Sequence, residues 1–163
     1  MKDIFIYGYI MQKNNYDELE EKIGYSFSNK KLLEEALTHK TYAFEAGVPL
    51  NYNERLEFLG DSILNFIVAD QLYKSNKYFS EGELTRRRSF SVNNKFLAKV
   101  AKQLDIGTYL RLGKGEQKQS GSENRTNLAN ALESLIGAIY LDSDLDHVRC
   151  FISEKIFTEA FQF

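Results

Sequence analysis

Hydrophobic positions recur along nearly the whole chain at the three-and-four spacing of a helix, and no stretch sustains the alternation of a strand. Residues 16–23 read as a short charged amphipathic helix. Residues 29–37 read as a second, with Ser28 as N-cap and Leu32, Leu33 and Leu37 on one side. Gly47, Pro49 and Asn51 then interrupt the pattern as a loop. Residues 53–73 form a long periodic segment in which Leu56, Leu59, Ile63, Phe66 and Ile67 are expected to face a core. Ser80 followed three positions later by Glu83 has capping-box spacing and opens a helix through Arg86, Arg87 and Arg88. Residues 93–104 turn Phe96, Leu97, Val100 and Ala101 inward. Residues 113–123, rich in Gly, Lys, Gln and Ser, carry no apolar period and predict a mobile loop. Residues 124–141 form a second long helix, striped by Leu128, Leu132, Leu135 and Ile139, and 145–161 the last. The class is all-α, one helical domain over residues 16–163 without internal repeats, preceded by an N-terminal extension at 1–15.

Composition narrows the possibilities. A chain of 163 residues, 43% hydrophobic and 27% charged, can bury a real core. The single cysteine, Cys150, excludes a disulfide framework and a Cys-based zinc cage, and reads as a small packed residue. No apolar run approaches the ~20 residues of a membrane span. The apolar stretch 4–11 is short, is broken by Gly8 and does not resemble a secretory signal; Met11 offers an alternative start. A cytoplasmic compartment is expected, with no membrane partner. The net charge of −2 by itself argues weakly against nucleic acid. It hides clusters, however: Arg86 to Arg88 in sequence, Lys95, Lys99 and Lys102 at helical spacing, and Lys114, Lys118 and Arg125 in the Gly/Ser-rich stretch. Such clusters are equally compatible with a solvated face.

The two long helices carry the chemistry. On the first, Glu54, Glu57 and Asp61 are three and four residues apart, on the side away from the apolar stripe. On the second, Asn130 and Glu133 share the side opposite the leucines. Gly60 and Gly137 lie mid-helix, where each costs up to ~1 kcal/mol against Ala, a cost best explained by another backbone passing close. If the helices cross at these glycines, Glu57, Asp61, Asn130 and Glu133 converge. Oxygen ligands without His or Cys suit Mg²⁺ or Mn²⁺ and phosphodiester hydrolysis. The competing reading is a set of solvated acids paired with lysines.

The run Asn-Glu-Arg-Leu-Glu-Phe-Leu-Gly-Asp-Ser-Ile-Leu at 53–64 resembles the signature of the ribonuclease III family. Ala-Leu-Thr-His-Lys at 36–40 is similar to the family's upstream segment, and Leu-Ala-Asn-Ala-Leu-Glu-Ser-Leu-Ile-Gly-Ala-Ile-Tyr-Leu-Asp at 128–142 to its second acidic helix. The resemblance spans residues 16–160. It implies a helical endonuclease domain that cuts double-stranded RNA, such as ribosomal or messenger precursors, leaving 5′-phosphate and 3′-hydroxyl ends. It assigns metal ligation to Glu57, Asp61, Asn130 and Glu133, with Asp61 and Glu133 catalytic. Glu54 and Glu81 match secondary acidic positions. Phe58 matches an aromatic seated on the partner subunit of a homodimer. Mg²⁺ is the implied cofactor, with Mn²⁺ able to substitute. The family does not use a base at His39, so His39 and His147 are set aside as structural.

Two departures stand out. The family carries aspartate where this chain has Asn130, which keeps a carbonyl oxygen and loses one negative charge. The resemblance therefore predicts anything from cleavage that needs more metal to near-complete loss, and leaves a catalytically silent RNA-binding or ribosome-associated module as the alternative. The chain also ends at Phe163, without the double-stranded-RNA-binding domain that usually follows in bacterial members. A shortened form of the standard class fits the signature better than the compact Mini-III group. RNA affinity should then be weak and strongly salt-dependent.

Overall fold

The computed structural model describes residues 16–160. The extension expected at 1–15 and the last three residues lie outside that range. Ten α-helices are present among the described residues: α1 (Asp17–Ile23), α2 (Lys30–Ala36), α3 (Lys40–Glu45), α4 (Glu54–Ser75), α5 (Glu81–Ser91), α6 (Asn94–Gln103), α7 (Lys114–Lys118), α8 (Arg125–Asp142), α9 (Leu145–Ile152) and α10 (Thr158–Ala160). A π-helical turn, Ser153–Phe157, joins the last two, so the helix expected at 145–161 runs unbroken to residue 160 with a wider turn in its middle. No strand occurs among these residues; Thr38 and Arg111 form an isolated bridge.

Helix α8 is the axis of the fold. Leu128, Ala129, Ala131, Leu132, Leu135, Ile136, Ala138 and Ile139 are all buried on one half of its circumference, and Asn127, Glu133, Ser134 and Gly137 are buried on the other. A helix of that kind must be enclosed, and α4, α6, α2 and α9 enclose it. The α4–α8 crossing is the closest contact. A Cβ added at Gly60 would lie 1.8 Å from the carbonyl oxygen of Glu133, and one at Gly137 would lie 2.4 Å from that of Leu56. Only glycine admits this approach, which confirms the close passage expected from the two mid-helix glycines.

That crossing also sets which side of α4 is buried. The inward face runs through Leu56, Gly60, Ile63, Leu64, Ile67 and Val68. Phe66, expected to point inward, is instead 56% exposed, and Leu59 is only partly buried. Helical periodicity locates an apolar arc; the glycine contact centres it nearer Leu64 than Phe66.

Caps and connections differ in detail. Asn29, rather than Ser28, caps α2, its Oδ1 accepting from Lys31 N–H at 3.2 Å. Ser80 caps α5 as expected, accepting from Glu83 N–H. Helix α3 lies between the second expected helix and the loop at Gly47, Pro49 and Asn51, where periodicity predicted no element. Its sequence has no apolar period, and long-range contacts hold it: His39 N–H donates to Arg111 O at 3.0 Å, and the Arg111 guanidinium lies 4.5 Å from the Tyr42 ring centre. The segment 113–123 is also ordered. Gly113 N–H donates to Thr41 Oγ1, Lys114 N–H to Glu45 Oε2, and Asn127 Nδ2 to both Glu116 Oε1 and Gly121 O. Side-chain hydrogen bonds, invisible to hydrophobic periodicity, replace apolar burial there. Cys150, expected to be packed, is exposed. No helix among the described residues is long and apolar enough to cross a membrane.

Candidate metal centre

The α4–α8 crossing brings the acids together. An open cavity of about 420 Å³ is lined by Glu54, Glu57, Phe58 and Asp61 from α4 and by Asn130 and Glu133 from α8. Every residue assigned to the metal site by sequence lies here, with Glu54 and Phe58. Glu81 does not: it stands exposed in the first turn of α5, its Oε1 accepting from Thr85 Oγ1 at 2.9 Å. Among the described residues, no three His, Cys, Asp or Glu side chains are drawn together as a ready metal cage.

The same geometry explains the electrostatics. Glu133 is only 8% exposed, which sets aside for this residue the competing reading of a solvated acid. Burial, then the charges of Asp61 and Glu57, push its carboxyl up to about 7. Burial also raises Glu57, assisted by Glu54 and Asp61 and opposed by Lys40. Asp61 is held by Asn65, whose Nδ2 donates to its Oδ1 at 2.8 Å and to its backbone oxygen at 3.0 Å. Carboxylates crowded so that a proton is retained near neutrality are stabilised by a cation among them. Three carboxylates and an amide, with no sulfur or imidazole, are a hard-oxygen donor set that fits Mg²⁺ or Mn²⁺.

Two supporting residues went unnoticed in the sequence. Ser134, fully buried on α8, places Oγ 2.7 Å from Asn130 O and 3.1 Å from Asn53 O, so it ties the turn bearing Asn130 to the start of α4. Asn53 is itself buried, and its N–H donates to Thr38 O at 2.9 Å. A lone serine amid leucines and an asparagine before a glutamate were the available signals. The histidines behave structurally: His39 Nδ1 accepts from Thr41 N–H at the start of α3, and His147 Nδ1 pairs with Asp144 at 2.9 Å.

The fold is thus an all-helical domain with an oxygen-lined acidic cavity where its two longest helices cross. The family model described as Ribonuclease-III-like matches residues 29–160, and the chain belongs to that family. Among curated relatives, it is 46% identical over 145 residues to Ribonuclease 3 of a Nitratiruptor species, covering 89% of this chain and 62% of the relative. It is 49% identical over 133 residues to Ribonuclease 3 of Alkalilimnicola ehrlichii, covering 82% of this chain and 56% of the relative. The chain thus spans less than two thirds of the length of these relatives. The nuclease domain of ribonuclease III from Campylobacter jejuni, described as flexible in a region involved in dimer formation, matches at TM-score 0.84 and 34% identity. That match covers 91% of this chain and 100% of the other.

Proposed function

We propose that this domain is the nuclease domain of a divalent-metal-dependent endoribonuclease that hydrolyses double-stranded RNA, leaving 5′-phosphate and 3′-hydroxyl ends. The observation that carries the reading is the cavity at the α4–α8 crossing, found in a chain of this family. Glu57, Asp61 and Glu133 would supply carboxylate ligands and Asn130 its amide oxygen. Mg²⁺, replaceable by Mn²⁺, would polarise the phosphodiester and make a bound water more acidic. Asp61 and Glu133, facing each other from α4 and α8, are the catalytic pair; Glu133 can hold a proton at its carboxylate near neutral pH. Glu54 shapes the mouth of the cavity. The exposed aromatics Phe58, Phe66 and Tyr73, all on α4, supply the contact surface of a homodimer. Arg86, whose side chain is 78% exposed and makes only a long 3.9 Å pair with Glu83, can turn to an RNA backbone, whereas Arg87 is engaged with Glu83 at 2.8 Å and with the Phe79 ring.

Asn130 favours a second reading, a silent module that binds RNA without cutting it. Its neutral amide leaves one charge fewer for the cation. The deciding experiment is cleavage of a long RNA duplex with Mg²⁺ and then Mn²⁺ by this chain and by Asn130→Asp. Cleavage by both, with the variant reaching half-maximal rate at roughly tenfold lower metal, is the expected result, since one extra ligand charge adds on the order of 1–2 kcal/mol to cation binding. Duplex binding without cleavage by either protein would establish the silent module instead.

A further inference from the structure

Lys40 is a cation set at the rim of an acidic cavity. Its Nζ lies 3.0 Å from Glu54 Oε1, and both side chains are about half exposed, at 49% and 47%. Glu54 lines the cavity, and the Lys40 charge reaches further in, acting on Glu57 against the repulsion of Glu54 and Asp61. The backbone beside Lys40 is fixed on two sides. His39 N–H donates to Arg111 O at 3.0 Å, and Thr38 O accepts from Asn53 N–H at 2.9 Å, immediately before the helix that carries the acids. The lysine is therefore held in place relative to Glu54 and Glu57, while its own ion pair is exposed. Exposed pairs of this kind contribute little and open readily.

A polyanionic strand approaching Glu54, Glu57, Asp61 and Glu133 meets repulsion unless cations stand near the cavity. A lysine ammonium is a compact, mobile point charge able to exchange a carboxylate for a phosphate. We propose that Lys40 grips the RNA phosphate beside the scissile bond, and that Glu54 holds it ready until the strand arrives. This rests on the double-stranded-RNA nuclease reading above. On binding, the ammonium moves from Glu54 Oε1 to a phosphate oxygen, and Glu54 is released to the cavity.

The test compares the native chain with Lys40→Ala, Lys40→Arg and Glu54→Gln. Duplex-RNA binding is followed by fluorescence anisotropy over a salt series, and cleavage kinetics are recorded with Mg²⁺. Removing one phosphate contact should weaken binding and raise KM about fivefold, change kcat less, and flatten the log K against log salt slope by roughly one. Lys40→Arg should restore binding and slope. Glu54→Gln should keep the native slope and bind no more weakly, because the lysine stays and is freed. Native binding and slope in Lys40→Ala, or equal weakening in Lys40→Ala and Glu54→Gln, would overturn the assignment and leave a merely structural pair. A native chain that cuts, beside an indifferent Lys40→Ala, would refute this role alone. A native chain that neither binds nor cuts duplex RNA would refute the nuclease reading and this role with it. Unchanged circular dichroism and Tm in all variants verify folding.

Discussion

Glu133 shows what one residue gains from its surroundings. Its carboxyl is raised from 4.5 to about 7, first by burial and then by Asp61 and Glu57. Between those two values the folded protein binds more protons than the unfolded chain, so stability falls as pH rises through this window and stays reduced above it. Glutamine carries no such charge. Metal-free Glu133→Gln should therefore be more stable than the native chain at pH 8, by on the order of 1–3 kcal/mol, and nearly equal to it at pH 5. Thermal melts at the two pH values decide this; a gap that does not change with pH would refute it. At the far end of α8, Asp142 behaves oppositely. Burial alone would raise it, but the Tyr25 hydroxyl and the backbone N–H groups of Asn29 and Ser28 prevail and hold it below the usual carboxylate range. That contribution is present above the unfolded value and is lost as acid protonates the carboxyl.

At the scale of elements, the α4–α8 crossing matters most. Gly60 rests on the Glu133 carbonyl and Gly137 on that of Leu56, so each helix has its glycine against a residue at or next to a site acid of the other. Gly60→Ala cannot be absorbed by a rotamer change, because the obstructing atoms are backbone. It should destabilise the domain by about 3 kcal/mol or more and widen the cavity, read as a lower urea midpoint and weaker metal binding by calorimetry. Full stability in that variant would mean the helices can separate at little cost, and the explanation of the glycines would be wrong. The acids themselves were legible in the sequence as residues sharing a face. Their burial was not, because the arc an element buries depends on its neighbours: Glu133 proved enclosed and Phe66 exposed.

At the scale of the whole molecule, Phe58, Phe66 and Tyr73 leave a line of large apolar surface on α4, at 78%, 56% and 74% exposure. Single exposed apolar residues are ordinary, but three large aromatics along one helix beside the cavity support the proposed homodimer contact. Phe58→Asp should shift the protein from dimer to monomer in sedimentation experiments with little loss of Tm, since the side chain supports no core packing. A native chain that sediments as a monomer at high concentration would remove the dimer from the proposed function.

The sequence by itself determined the all-helical class, the extent of the two long helices, the sharing of a helix face by the acids and the need for a close approach at two glycines. These follow from local periodicity and from the cost of glycine inside a helix, which one chain segment expresses without reference to any other. Tertiary structure alone decided the rest. It showed that segment 113–123 is held by side-chain hydrogen bonds, that Ser134 links the two site-bearing helices, that Lys40 stands at the cavity mouth, and that Glu81 stands outside it. Those facts depend on groups far apart in the chain meeting in space, and no local pattern of hydrophobic and polar residues encodes such a meeting.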